Sequence, residues 1–100
     1  MGEGWDGYNS PSIPSKTASA ANFILSLVSQ LRVWAPHIAP VPGGGIQLEW
    51  DRDNRSLEIE IHPEGNYDFL VALGDDIAVG PLHEKFLPTL TNWIRTGVLT

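Results

Sequence analysis

Between Gly43 and Gly74, apolar residues occupy every second position of three successive runs. The runs read IQLEW, SLEIEI and YDFLVAL, and their alternating apolar members are Ile46, Leu48, Trp50, Leu57, Ile59, Ile61, Tyr67, Phe69, Val71 and Leu73. Because successive side chains of a β-strand point to opposite faces, this period of two is typical of strands with one buried and one wet face. The pattern predicts an antiparallel meander at the centre of the fold.

The charges of the first hairpin predict its register. Pairing Trp50 with Arg55 leaves a four-residue loop and sets Glu49 opposite Ser56. A slip of two residues would set Glu49 opposite Glu58, and directly opposed like charges destabilise a sheet. We therefore expect Trp50 to pair with Arg55.

The second hairpin is predicted to turn through a three-residue loop at residues 64–66, which contains a glycine and an asparagine that tolerate positive φ. This register sets His62 opposite Asp68 and Ile61 opposite Phe69. The first of these contacts is expected to raise the pKa of the imidazole. The wet face of the sheet then carries Gln47, Glu49, Glu58, Glu60, His62 and Asp68.

A helix is predicted on each side of the meander. The first covers residues 16–34, with Ser15 as its N-cap and Pro36 after its end. Its apolar positions at helical spacing are Phe23, Ile24, Leu27, Val28, Leu31 and Trp34. The second helix lies within residues 82–96, and Pro88 is tolerated only in its first turn. Phe86, Leu87, Leu90, Trp93 and Ile94 share one side of it.

The segments next to these elements carry weaker signals. Gly97 suits the C-terminal cap of the second helix, and Val98 and Leu99 are expected to pack back against the core. Residues 37–45 contain two prolines, which exclude a central strand but allow an edge strand. Residues 77–79 form either a short further strand or a covered loop.

These elements predict an α+β domain over residues 15–100. It is an antiparallel three- to four-stranded meander with an N-terminal and a C-terminal helix packed on one face. Residues 1–14 form an aromatic arm, in which Trp5 and Tyr8 stand among glycines. Two large aromatic side chains bury substantial area, so the arm either packs on its own core or binds a partner.

The acidic residues are concentrated in the meander. The chain has a net charge of −6, and residues 46–76 hold nine acids against two bases, or −7. Such a face disfavours nucleic acid and anionic membranes and favours a basic protein partner, although acidic residues also serve solubility alone. The absence of cysteine, of an apolar leader and of a membrane-spanning run is consistent with a cytoplasmic protein.

No motif in the sequence indicates catalysis or a bound cofactor. Glu58, Glu60 and His62 lie in line on one strand face, where neighbouring side chains are about 6–7 Å apart and diverge instead of converging on a metal ion. The glycine run lacks the lysine and helix of a phosphate-binding loop. We expect no catalytic residue, no metal and no cofactor, and the remaining alternative is an enzyme without a recognisable motif.

Four short motifs resemble a family of small uncharacterised bacterial proteins. They are GWDGY at residues 4–8, PVPGGGIQLEW at 40–50, LEIEI at 57–61 and EG at 64–65. The family has no established activity, so the resemblance implies a bacterial or phage origin, a non-enzymatic accessory role and no catalytic residues. Gly43 stands where the family has an aspartate, and this departure bears on the geometry of the turn.

The sequence therefore predicts a small acidic interaction module that binds and occludes a basic protein partner, as an antitoxin or an inhibitor of a nuclease or defence system does. The predicted partner-binding residues are Glu49, Glu58, Glu60, Asp68 and Asp75, with Trp5 and Tyr8 as anchors. The alternative is a homo-oligomerising structural or accessory module, such as a homodimer, in which the first helix and an open sheet edge pair two copies.

Overall fold

The computed structural model describes residues 15–99, which contain two α-helices and five strands. In chain order they are α1 (Ser15–Ser29), β1 (His37–Val41), β2 (Gly45–Arg52), β3 (Arg55–Ile61), β4 (Tyr67–Leu73), β5 (Asp76–Pro81) and α2 (Leu87–Thr96), with a 3-10 turn at Glu84–Phe86. The predicted arm with Trp5 and Tyr8 lies outside the described residues.

The five strands form one antiparallel sheet in the order β1-β2-β3-β4-β5. The α+β class and the two flanking helices are confirmed, but the expected three to four strands were too few. Strand β1 is an edge strand that includes Pro40, as its prolines allowed. Strand β5 is the other edge strand, and it includes residues 77–79, for which the sequence allowed either a short strand or a covered loop.

The predicted alternation of faces is confirmed in β2 and β3. Their inner face supplies the centre of the core, with Ile46, Leu48, Trp50, Leu57, Ile59 and Ile61 all buried. Both helices contact these two strands and leave β4 and β5 less covered. For this reason Phe69 and Val71 are only partly buried, and Leu73 at the end of β4 is 45% exposed.

The register of the first hairpin was wrong by two residues. Trp50 pairs with Leu57, and Glu49 lies opposite Glu58, which is the like-charge pair that we expected the sheet to avoid. The loop is two residues long, and Asp53 within it adopts a positive φ of 56°. The observed register sets Ile46 opposite Ile61 and so adds a third apolar pair on the inner face.

The register of the second hairpin was also wrong by two residues. Ile61 pairs with Tyr67 instead of Phe69, and Asp68 lies opposite Glu60 instead of His62. The expected register would have placed Pro63 in the ladder, where proline has no N–H to donate. Instead, the chain leaves the ladder at His62, whose N–H donates to the Asn66 carbonyl at 2.8 Å.

Helix α1 ends earlier than expected, at Ser29 instead of residue 34. Gln30 and Leu31 donate to carbonyls three residues back, so the last turn tightens and the α-helical pattern stops. The buried face is Thr17, Ala20, Ala21, Ile24 and Val28. The expected apolar stripe is therefore only partly inside, because Phe23 is 47% and Trp34 is 38% exposed.

Helix α2 begins at Leu87, with Pro88 in its first turn as predicted. Gly97 caps its C-terminus with a left-handed φ of 83°, and its N–H donates to the Trp93 carbonyl. The expectation that Val98 and Leu99 pack against the core was wrong, because they are 52% and 68% exposed. Within residues 15–99, neither helix has the length and apolar character needed to span a membrane.

Candidate protein-interaction face

The outer face of the sheet, opposite the helices, carries the predicted acidic residues. Four of them lie together on β2, β3 and β4, and we call this group the acidic strip: Glu49, Glu58, Glu60 and Asp68. Glu49, Glu58 and Glu60 alternate with the buried residues of β2 and β3, and Asp68 alternates with the partly buried Tyr67 and Phe69 of β4.

The acidic strip consists of two cross-strand pairs of like charge. Glu49 lies opposite Glu58, and Glu60 lies opposite Asp68. Directly opposed acids destabilise an antiparallel pair by about 0.2–1 kcal/mol. The hydrophobic core on the other face stabilises this register, and the acids of the strip remain opposite each other despite their electrostatic repulsion.

The pKa of the Glu58 carboxyl reflects this crowding. Partial burial raises the pKa above its ordinary value, and the negative charges of Glu49, Asp51 and Glu60 raise it further. Every one of these influences disfavours the ionised form. A cationic group placed over Glu58 would offset the repulsion from the neighbouring negative charges.

His62 closes one end of the acidic strip. Its Nε2 lies 2.7 Å from an oxygen of Asp68, and its Nδ1 lies 3.6 Å from an oxygen of Glu60. The predicted contact between His62 and Asp68 is therefore confirmed, although it runs diagonally across the strands. The hydrogen bond to Asp68 raises the pKa of His62 against the opposing effect of burial, and the charges of Glu60 and Glu64 add to the rise.

The basic side chains of the chain lie away from the acidic strip. Residues 15–99 contain all six lysines and arginines, and none of them is within ion-pair distance of a strip carboxylate. Arg55 points to the inner face, where its Nη2 donates to the Ile94 carbonyl at 3.2 Å. Arg52 lies 5.7 Å from the centre of the Trp34 ring. In the part of the chain that the structure describes, His62 is therefore the only side chain able to carry a positive charge that lies within ion-pair distance of the strip.

An apolar margin adjoins the acidic strip on the same face. Leu70 on β4 lies opposite Glu58 on one side and Val79 of β5 on the other. These two side chains and three strip acids line a shallow depression. Sequence reasoning did not include Leu70 or Val79 in the site, although a leucine at an outward position of β4 was an available signal.

Asp75 is separated from the other predicted partner-binding residues. It lies in the turn between β4 and β5, at the end of the sheet where β3 begins, whereas Glu60 and Asp68 lie toward the opposite end. The structure therefore brings four of the five predicted acids together and leaves Asp75 apart. Trp5 and Tyr8 lie outside the described residues, so their predicted role as anchors stays a prediction.

The described residues contain no group of three or more His, Asp or Glu side chains arranged to hold a metal ion. The outer face carries a negative strip, an apolar margin and the shallow depression that the two share. Such a surface can attract cations, accept hydrogen bonds at its carboxylates and contact aliphatic side chains.

No family model matches the chain, and neither the curated proteins nor the solved structures include a significant match to it.

Proposed function

We propose that this protein is a small interaction module whose acidic strip binds a basic surface of a protein partner and occludes it. The role is that of an antitoxin or of an inhibitor of a nuclease or defence system. The observation that carries the proposal is the two pairs of opposed acids, Glu49 with Glu58 and Glu60 with Asp68, which lack a lysine or arginine counter-charge within residues 15–99.

The apolar margin supports a protein partner over a small cation. Leu70 and Val79 lie beside the acids, and Val79 is 68% exposed. A protein that offers lysine or arginine side chains together with an aliphatic or aromatic one would satisfy both parts of the face. Attraction between opposite charges would make association fast and sensitive to salt.

The test compares charge reversals at two places on the same sheet. Lysines at Glu58 and Glu60 reverse the strip, and the matched control reverses Asp75 and Asp76 at the distant turn with the same change in net charge. The strip variant is expected to stay folded, because each new lysine lies opposite an acid, Glu49 or Asp68. Circular dichroism verifies that the strip variant is folded, so that a loss of binding can be assigned to the reversed charges.

The partner is first captured from a lysate of the source cell by the immobilised wild-type protein, identified and purified. Its association rate constant is then measured with each variant at low and high salt. We expect the strip variant to slow association by about tenfold or more at low salt, and the turn variant to change it little. Unchanged association of the strip variant, or an equal loss in both variants, would disprove the proposal.

A further inference from the structure

We infer that the β5 edge of the sheet joins two copies of this chain into a symmetric dimer with one continuous ten-stranded sheet. This interface shares Val79 with the apolar margin but includes none of the acids of the strip, and it does not rest on the proposed function. Three features of β5 carry the inference: its unpaired backbone groups, its exposed aliphatic side chains and the placement of its acids.

The outward backbone groups of β5 are identified by the ladder with β4. Just beyond the strand, Leu82 N–H donates to the Tyr67 carbonyl at 2.9 Å. Hydrogen-bonded and non-hydrogen-bonded pairs alternate along an antiparallel ladder, so Gly80 and Ala78 also direct their backbone groups toward β4. Ile77 and Val79 consequently direct their N–H and C=O groups away from the sheet, toward a potential new strand.

The two edges of the sheet differ in how they are protected. Strand β1 carries Pro40 in its interior, which removes a donor and blunts that edge. Strand β5 has no proline before Pro81 at its end and no charged side chain after Asp76 at its start. An edge with free donors and no such protection is a template for strand addition.

The side chains of the β5 edge are apolar and exposed. Ile77 is 66% and Val79 is 68% exposed on the outer face. Within the described residues the helices contact mainly β2 and β3, so the inner side of the hairpin is also open and includes Leu73 at 45% exposure. Addition of a strand would cover aliphatic surface on both sides of the sheet.

A second copy fits this edge in one antiparallel register. If Ala78 of each copy lies at the two-fold axis, Ile77 pairs with Val79 of the other copy, and all four of their outward N–H groups find an outward carbonyl. The same register places Asp76 opposite Gly80 and Asp75 opposite Pro81 of the second copy. No acid faces an acid, whereas a parallel arrangement would align the acids of the two strands.

The dimer leaves the acidic strips independent of each other. Asp68 is the strip residue on the strand nearest to the interface, and three strand spacings of about 4.8 Å, or about 14 Å, separate β4 of one copy from β4 of the other. This distance exceeds the Debye length of about 8 Å at physiological ionic strength. A six-residue edge falls at the small end of specific interfaces, so association is expected to be weak and concentration-dependent.

The first test is sedimentation equilibrium of the full chain up to millimolar concentration, where the mass is expected to rise from 11.0 kDa toward twice that value. Ile77→Lys places a charge in the interface and is expected to weaken association by about tenfold or more. Ile38→Lys is the matched control, because Ile38 is a 52% exposed aliphatic on the opposite edge strand. It is expected to leave association unchanged.

The second test determines the register of the two β5 strands by disulfide cross-linking. The chain has no cysteine, and Ala78→Cys would bring two thiols together at the two-fold axis. The Cα atoms of such a non-hydrogen-bonded pair are about 4.5 Å apart, within the range that a disulfide spans. With an added oxidant we expect a covalent dimer from Ala78→Cys and little from Ala39→Cys on β1.

A chain that remains a monomer at every concentration would overturn the inference, whether the edge is bare or covered by residues 1–14 of the same chain. A dimer that Ile77→Lys leaves intact and that Ala78→Cys does not cross-link would also overturn it, by assigning the interface to another surface. Partner binding by the Ile77→Lys variant, measured as above, shows separately whether the acidic strip functions.

Discussion

Glu58 lies directly opposite Glu49, and the pKa of its carboxyl is raised by burial and by the charges of Glu49, Asp51 and Glu60. A carboxyl with a raised pKa in the folded state favours folding only when it is protonated. Its stabilising contribution is complete below the ordinary value of 4.5 and is lost as the pH rises through the raised value. At neutral pH, ionised Glu58 therefore opposes folding.

Glu58→Gln is expected to stabilise the protein at pH 7. Removal of one charge from a directly opposed pair should raise the free energy of unfolding by about 0.2–1 kcal/mol in low salt. Urea denaturation at pH 7 measures the gain, which should shrink at high salt and disappear below pH 4.5, where the carboxyl of the wild-type protein is protonated as well. A variant less stable than the wild type at pH 7 would contradict this reading.

The hydrogen bond from His62 to Asp68 is expected to make the stability of the domain depend on pH near neutrality. The pKa of His62 is raised above 6.5, so the stabilisation is complete below pH 6.5 and is lost as the pH rises through the raised value. NMR titration of the imidazole protons measures this pKa. Asp68→Asn should lower it toward 6.5, because it removes the charged acceptor.

Glu64→Gln is the control for the titration of His62. Glu64 is the smallest of the influences that raise the pKa, so its neutralisation should lower the value less than Asp68→Asn does. A pKa of His62 at or below 6.5 in the wild-type protein would show that burial of the imidazole outweighs the hydrogen bond to Asp68.

Which face each side chain takes was predictable from the sequence, but the pairing of the strands was not. A shift of register by two residues keeps every side chain on its face, so the acidic strip was correctly placed outside even though both hairpins were misaligned. The alternation of residues carries the information about faces. The register depends on the energies of the cross-strand residue pairs, and the alternation is the same for two registers that differ by two residues.

The first hairpin shows which energy decides the register. The expected register avoided the contact of Glu49 with Glu58, a saving of about 0.2–1 kcal/mol. The observed register brings Ile61 against Ile46 in the core, and burial of an aliphatic side chain contributes about 1.5–3 kcal/mol. The apolar pair outweighs the charge repulsion, so a register argument based on surface charge alone selected the wrong partner.

The sequence predicted the acids of the candidate site but not its apolar residues. Its acids were found because charge and strand parity are local properties of the sequence. Leu70 and Val79 were missed because their membership of the site depends on β5 lying next to β4, and the sequence left β5 as a strand or a loop. Asp75 was included on charge alone, and the turn that holds it lies away from the strip.

Gly97→Ala is expected to destabilise the domain through two effects. Gly97 has a φ of +83°, a conformation that costs residues with a Cβ about 1–2 kcal/mol. An added Cβ would also lie 2.9 Å from Nη1 of Arg55, which packs beneath the end of α2. The total loss, measured by urea denaturation, should therefore exceed the loss from backbone strain alone.

Gly43→Ala measures the backbone strain by itself, because Gly43 has a similar φ of +97° and an added Cβ there would meet nothing within 4 Å. The contact with Arg55 is isolated by repeating Gly97→Ala in an Arg55→Ala background, where the loss should fall toward that of Gly43→Ala. An equal loss from Gly97→Ala in both backgrounds would show that the side chain of Arg55 moves aside without cost.

Trp50→Phe is expected to destabilise the domain by about 1–3 kcal/mol, because it removes a part-buried hydrogen bond and replaces a fully buried indole by a smaller ring. Trp50 is 1% exposed, and its Nε1 donates to the Trp34 carbonyl at 2.7 Å, which connects the segment after α1 to β2. Trp34→Phe is the control, because it keeps that carbonyl and changes a ring that is 38% exposed. Urea denaturation is followed by far-UV circular dichroism, because each variant lacks one tryptophan and its fluorescence is therefore not comparable with that of the wild type. Equal losses of the free energy of unfolding in the two variants would contradict the prediction. They would show that the hydrogen bond from Trp50 stabilises the domain no more than the exposed ring of Trp34 does.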